Sequence, residues 1–198
     1  FIPLAEESGL IETLGAWVLD RACREAAGWP ANLSVSVNLS AAQFRSNTLV
    51  GLVTRALAES GLAPARLELE ITESLLMTDP EQVIRTLEAL SGLGVRIAMD
   101  DFGTGYSSLA YLWRFPFDKL KIDRAFTLGL EEDPKVNLIV RSIVSLAHAM
   151  RIRVNAEGVE TVAQMQMLQR HGCDELQGFL LGRPVPPSSL LHANASNR

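Results

Sequence analysis

No stretch of this sequence approaches the roughly 18 to 20 uninterrupted apolar residues of a membrane span, and its mean hydropathy is only +0.14. Membrane contact by this segment is therefore not expected. Cysteine is scarce: Cys23 and Cys173 lack metal-ligand spacing and offer no disulfide framework. A reducing, cytoplasmic setting fits, and the parent protein is free to be membrane-anchored. Charge of one sign is also lacking, with 18 basic against 23 acidic residues. That balance argues against a protein that coats long nucleic acid. A small phosphorylated ligand stays open, because bound metal ions neutralise such a ligand locally. There is no initiating Met and no basic segment leading into an apolar one, so the expectation is an internal piece of a longer chain, without a targeting signal. Nor does any low-complexity tract, linker or charge block divide the 198 residues.

What recurs instead is alternation. The first helical pattern places Leu10, Leu14, Trp17 and Val18 on one face and closes at Gly28 and Pro30. A β-rich run at 33–38 precedes a helix to about Glu59 and a second strand at 67–71. The amphipathic stretch of Val83, Ile84, Leu87 and Leu90 ends at Gly92 and Gly94. Val95 to Met99 reads as a buried strand, followed by a Gly/Ser loop, a short helix at 109–113 and a strand at 119–122. The clearest helix carries Val136, Ile139, Val140, Ile143, Val144 and Ala147. A strand at 152–156, a helix at 161–170 and a short strand at 175–178 complete the reading. Strands separated by helices imply a mainly parallel sheet, either an open doubly wound sheet or a (β/α)8 barrel.

The strand ends favour the barrel, where each strand can send a side chain to one mouth. They carry Asn38, Glu70, Asp100 with Asp101, Lys121, Glu157 and Gln177. Asn38, Glu70, Asp100, Asp101 and Glu157 form an oxygen-only donor set, suited to Mg²⁺ or Mn²⁺ rather than zinc. Adjacent Asp100 and Asp101 repel unless cations lie between them. Two bridged metals would relieve this and supply a hydroxide for attack on phosphorus. Lys121 would orient the water or offset phosphate charge, and Glu157 would hold a metal or help take a proton. Each acid alone reads more simply as a helix cap or turn former. Glu73, Asp79 and Asp118 carry no more signal than that, and Lys121 alone would be a solvated lysine. Several oxygen donors and a lysine on successive strand ends are not something capping requires. Asp101-Phe102-Gly103 lacks the companion motifs of a kinase, and the glycines that follow lack a P-loop's Gly-Lys-Ser/Thr ending. They read as a flexible loop over the site.

Six ordered segments resemble the motifs of EAL domains, bacterial phosphodiesterases that linearise cyclic di-GMP. They are Ser36-Val37-Asn38-Leu39-Ser40, Leu67 to Glu73, Asp100 to Ser108, Leu120-Lys121-Ile122-Asp123, Asn155 to Glu160, and Gln177-Gly178. The resemblance runs from Phe1-Ile2-Pro3 to Arg183-Pro184 and implies a modified TIM-like (β/α)8 barrel. It further implies a biofilm-related signalling hydrolase that yields linear pGpG with two Mg²⁺ or Mn²⁺ ions. Asn38, Glu70 and Asp100 would hold the first metal, and Asp100, Asp101 and Glu157 the second. Lys121 and Gln177 would position the water, and Glu73 would anchor the loop after Asp100. Asp123 and Glu160 would support the site from behind, and Arg183 would meet substrate. A homodimer through the loop and helix after Asp101 and further signalling domains in the parent chain are also implied. The Glu-Ala-Leu tripeptide itself, whose glutamate is a first-metal ligand, does not occur in these residues, nor does the upstream phosphate-gripping arginine. The expectation is thus one domain over 1–198 with about six of the eight barrel strands and the N-terminal ones lying upstream. The alternatives are a non-catalytic cyclic di-GMP receptor or an inactive fragment.

Overall fold

In the computed structural model, described over residues 1–77, 79–103, 112–187 and 189, six strands form one sheet. They are β1 (Val35–Asn38), β2 (Leu67–Thr72), β3 (Arg96–Phe102), β4 (Lys119–Ile122), β5 (Arg153–Ala156) and β6 (Glu175–Leu176). Every strand pairs in parallel with its successor, in the order β1 to β6 without reversal. A doubly wound sheet reverses its order at a switch point, whereas a (β/α)8 barrel winds one way. The sequential order therefore decides for barrel geometry, of which six strands are present among the described residues.

The helices are α1 (Ile2–Glu7), α2 (Leu10–Ala27), α3 (Ala41–Arg45), α4 (Leu49–Ser60), α5 (Pro80–Gly92), α6 (Arg124–Gly129), α7 (Pro134–Ala149) and α8 (Val162–His171). Local chemistry sets several boundaries. Ser40 with Gln43, and Thr161 with Gln164, form capping boxes at α3 and α8. Asp79 accepts from Gln82 N at 3.1 Å, with Pro80 in the first turn of α5.

Period-two alternation gives the sheet two unlike faces. Leu67, Leu69, Ile71, Ile97, Met99, Leu120, Ile122, Val154 and Ala156 point to the helices and are at most 1% exposed. They pack against Val53 of α4, Leu87 and Leu90 of α5, Val140 and Val144 of α7 and Leu168 of α8. The opposite face lines the barrel interior and carries Glu68, Glu70, Arg96, Ala98, Lys119, Lys121 and Asn155. Register places Asn38, Glu70, Ala98, Lys119 and Arg153 in one row across five strands.

The helical faces depart from the sequence expectation in places. On α2 the buried residues are Ile11, Leu19, Cys23 and Ala26, while Leu10 and Trp17 are each 64% exposed. The helix expected to run to Glu59 is two helices, broken after Arg45. Helix α6 was not anticipated. Of the short helix expected at 109–113, residues 109–111 lie outside the described residues, as do residues 104–108 of the Gly/Ser loop before it.

One arginine ties the end of α2 to the sheet. Arg66, just before β2, donates through Nε to Leu33 O at 2.7 Å and through Nη2 to Ala26 O at 2.7 Å, with Trp29 O and Pro30 O at 3.3 and 3.2 Å. A cation on the last carbonyls of a helix completes their hydrogen bonding and opposes the helix dipole. Arg66→Ala should lower unfolding free energy by about 2 kcal/mol, as expected for charge-assisted bonds to half-buried carbonyls. Urea denaturation measures it, and a loss within experimental error of zero would remove Arg66 from this role.

Candidate active site at the strand ends

Two adjacent aspartates on a regular strand would point to opposite faces. Here Met99 pairs with Leu120 and Phe102 with Ile122, so β3 advances three residues while β4 advances two. This is a β-bulge. Asp101 takes up the extra residue with φ +55, a left-handed conformation that Asp tolerates better than most residues. Met99 and Phe102 both stay in the helix-facing core at 1% and 3% exposure. Asp100 and Asp101 are left together between them, at the rim of the interior. Asp100 Oδ1 accepts from Asp101 N at 3.0 Å, which holds the turn.

At this rim the ammonium of Lys121 gathers three carboxylates. Nζ lies 2.6 Å from Glu70 Oε2, 2.7 Å from Glu157 Oε1 and 3.1 Å from Asp100 Oδ2. Lys121 is 4% exposed. Burial alone would lower its pKa, but the hydrogen bonds to Glu157 and Glu70 outweigh that and push it up. Glu157 is raised chiefly by burial, with Asp100 and Glu70 adding to the rise and Lys121 opposing it. Asp101 is raised by burial and by the neighbouring charges of Asp100 and Asp123, against the pull of Lys121. Four carboxylates thus share one cation. Among the described residues no three His, Cys, Asp or Glu stand together as a ready-made metal cage, and the lysine occupies the centre of the acids. The donors are oxygens throughout, and negative charge is in excess. That chemistry fits hard divalent cations.

The remaining expected residues are spread around this centre. Asn38 is the register partner of Glu70 on β1 and is exposed. Gln177 follows β6; its backbone N–H donates to Ala156 O at 2.8 Å, and its side chain is exposed. Glu73 is 5% exposed and accepts from Gly103 N at 3.2 Å, where the loop after β3 begins. Asp123 caps α6 by accepting from Ala125 N at 2.8 Å. Glu160 pairs with Arg124 Nη2 at 2.8 Å. Arg183 lies over the Phe179 ring at 4.4 Å. The Gln177-Gly178 step has a steric reason for its glycine, since a Cβ on Gly178 would overlap the backbone N and O of Val159.

The sequence reading passed over a second set of charges deeper in the barrel. Lys119 Nζ lies 2.8 Å from Glu68 Oε1 and 2.7 Å from Glu175 Oε2, and Arg153 Nη2 lies 2.9 Å from Glu175 Oε1. Glu68 also accepts from Ser36 Oγ at 2.9 Å. The signal was present in the spacing: Glu68 with Glu70, and Lys119 with Lys121, are two residues apart on apolar strands and so share a face.

A sequentially wound β/α barrel with an acidic, oxygen-donor centre at the carboxyl ends of its strands defines the class of site. The chain belongs to the EAL domain family, whose model matches residues 1–184. It is 50% identical over 195 residues to the bifunctional diguanylate cyclase/cyclic di-GMP phosphodiesterase MucR of Pseudomonas aeruginosa, covering 96% of this chain and 28% of that protein. The solved PaMucR phosphodiesterase–c-di-GMP complex superimposes with a TM-score of 0.92 at 50% identity, over 96% of this chain and 79% of that one. The manganese/cy-diGMP complex of Klebsiella pneumoniae BlrP1 gives a TM-score of 0.81 at 32% identity, over 87% of this chain and 45% of that one. The chain spans about a quarter of the length of the curated relatives it matches.

The raised carboxyl of Asp101 has a consequence for stability. The folded state binds this proton more tightly than the unfolded chain. Ionisation therefore subtracts stability as pH rises from the unfolded value through the raised folded one. Asp101→Asn keeps a residue that tolerates φ > 0 while removing the charge. In EDTA at neutral pH this variant should melt above wild type, and the difference should shrink as pH falls below that window. A variant melting at or below wild type throughout would contradict this account.

Proposed function

We propose that this chain, as one domain over residues 1–198, hydrolyses one phosphodiester bond of cyclic di-GMP to give linear pGpG with two Mg²⁺ or Mn²⁺ ions. The observation that carries the reading is the convergence of Glu70, Asp100 and Glu157 on one buried ammonium at the carboxyl ends of neighbouring parallel strands. The EAL relatives named for this activity, and the BlrP1 complex with manganese and the dinucleotide, support it. Asn38, Glu70 and Asp100 would hold one ion, and Asp100, Asp101 and Glu157 the other. Bound there, the ions supply Lewis acidity toward a phosphate oxygen and lower the pKa of a water.

The protein's own groups do the rest. Lys121 carries its proton at neutral pH and donates from Nζ, which suits it to orient the attacking water or offset phosphate charge. Gln177 would align the same water from the end of β6. Glu157, raised by burial, is suited to hold a proton in passing. Through Gly103 N, Glu73 would anchor the loop after β3, and Asp123 and Glu160 would brace the rim by capping α6 and pairing Arg124. Arg183 would offer its cation to substrate phosphate. A homodimer through the loop and helix after Asp101, a cytoplasmic setting and further signalling domains in the parent chain complete the proposal.

The intact protein with Mn²⁺ and cyclic di-GMP should produce pGpG, read by chromatography of the nucleotides. Glu157→Gln and Lys121→Ala should each lower turnover by at least about a hundredfold. Binding without turnover by the wild type would replace the hydrolase reading with a receptor. Near-normal rates in either variant would remove that residue from the chemistry.

A further inference from the structure

Between the two charged rows of the interior sits a residue that neither row uses. Asn155 lies on β5 in register with Lys121 on one side and Glu175 on the other. Val154 and Ala156 face the helices at 0% exposure, so Asn155 points inward with Arg153 and Glu157. It is 6% exposed, yet its Oδ1 has no donor among the described residues. Burying an amide oxygen without a donor is unfavourable, and an apolar residue of the same size would avoid the penalty. Such a group at an inward position next to a site points to a use in another state of that site.

The neighbouring ammonium supplies that use. In the present arrangement Lys121 Nζ is held by Glu70, Asp100 and Glu157. These are the same carboxylates whose oxygens divalent cations would claim. Once they turn to cations, Lys121 loses its partners while remaining buried and charged. On the next strand, in register, the unused acceptor is Asn155 Oδ1. Glu175, on its other side, is already taken by Lys119 and Arg153.

We propose that Asn155 is a positioning residue, the acceptor that receives the Lys121 ammonium when the rim carboxylates bind divalent cations and holds it facing the reacting phosphate. This rests on the phosphodiesterase reading for its purpose, but its test does not depend on turnover. Asn155→Val removes the acceptor, and with it the buried oxygen that lacks a donor. In EDTA this variant of the intact protein should melt about 2 to 4 °C above wild type. Its Mn²⁺ dissociation constant, read by electron paramagnetic resonance titration, should weaken by about tenfold, the loss of one charge-assisted hydrogen bond. Turnover of cyclic di-GMP should fall in kcat by a similar factor with little change in KM. Asn155→Asp, which restores an acceptor at the same place, should bring Mn²⁺ affinity back toward wild type.

A purely packing role for Asn155 predicts Mn²⁺ affinity unchanged in both variants. Mn²⁺ affinity in Asn155→Val within twofold of wild type would overturn the proposal, whatever the wild type does with the nucleotide. A wild type that binds Mn²⁺ but makes no pGpG sinks the hydrolase reading alone and leaves Asn155 to be decided by the affinity and the Asp rescue.

Discussion

The buried ammonium of Lys121 is the constraint around which the rest of the structure is arranged. A side chain only 6% exposed cannot stay charged without close partners, and three carboxylates provide them. Meeting Glu70 requires reaching from β4 to β2, across the strand between them. At that crossing β3 offers Ala98, which is 0% exposed and in register with Glu70 and Lys119. A larger residue on β3 would stand in the path. The long lysines of β4, the glutamates of β2 and the methyl of Ala98 therefore form one interdependent arrangement. Lys119 and Glu68 also pair across β3 one row deeper, where the residue in register with Glu68 is Arg96. Barrels of this type usually fill the interior with layers of branched apolar side chains. Here ion pairs occupy that space, and apolar stabilisation falls to the layer between sheet and helices.

That division explains how the rim tolerates its strain. Asp101 adopts a left-handed backbone, adjacent carboxylates are held together, and two acids have raised pKa values. Each of these opposes folding in isolation, and such features concentrate at functional sites. They are confined to the ends of strands whose other faces are sealed in the core. The bulge is the hinge between the two requirements. It lets Met99 and Phe102 keep their core positions while both aspartates turn to the mouth.

Much of this was legible in the residues, but unevenly. Strand β4 at Lys119–Ile122 and helix α7 were read almost to the residue, because apolar runs and 3.6-residue spacing are local signals. The acids at the strand ends were legible from type and order. The face of α2 was misread because Trp17 and Val18 are apolar in sequence yet exposed in the fold, a fact decided by what packs beside them. The bulge left no local mark beyond two neighbouring aspartates, and its existence depends on register with β4. Glu68 and Lys119 escaped notice because each looks like an ordinary strand residue. Only their pairing across β3, a contact 51 positions apart in the chain, reveals the deeper row. Asn155 stands inside a motif segment with nothing to mark it in sequence, since the missing donor of its Oδ1 is visible only in three dimensions.

The charge of each row bears on where cations would be accepted, independently of any motif. In the deeper row Glu68 and Glu175 are paired with Lys119 and Arg153, and the inward Arg96 stands in register with Glu68, so negative charge is not in excess there. At the rim Glu70, Asp100 and Glu157 converge on the one ammonium of Lys121, with Asp101 beside Asp100. An ammonium carries one positive charge and must bring its own tether. A divalent cation carries two in a smaller volume and prefers the same oxygens. The two would be electrostatic alternatives for one set of acids. Beneath, Glu68 and Glu175 hold Lys119 in place, which leaves Lys121 as the rim's own ammonium among the described residues.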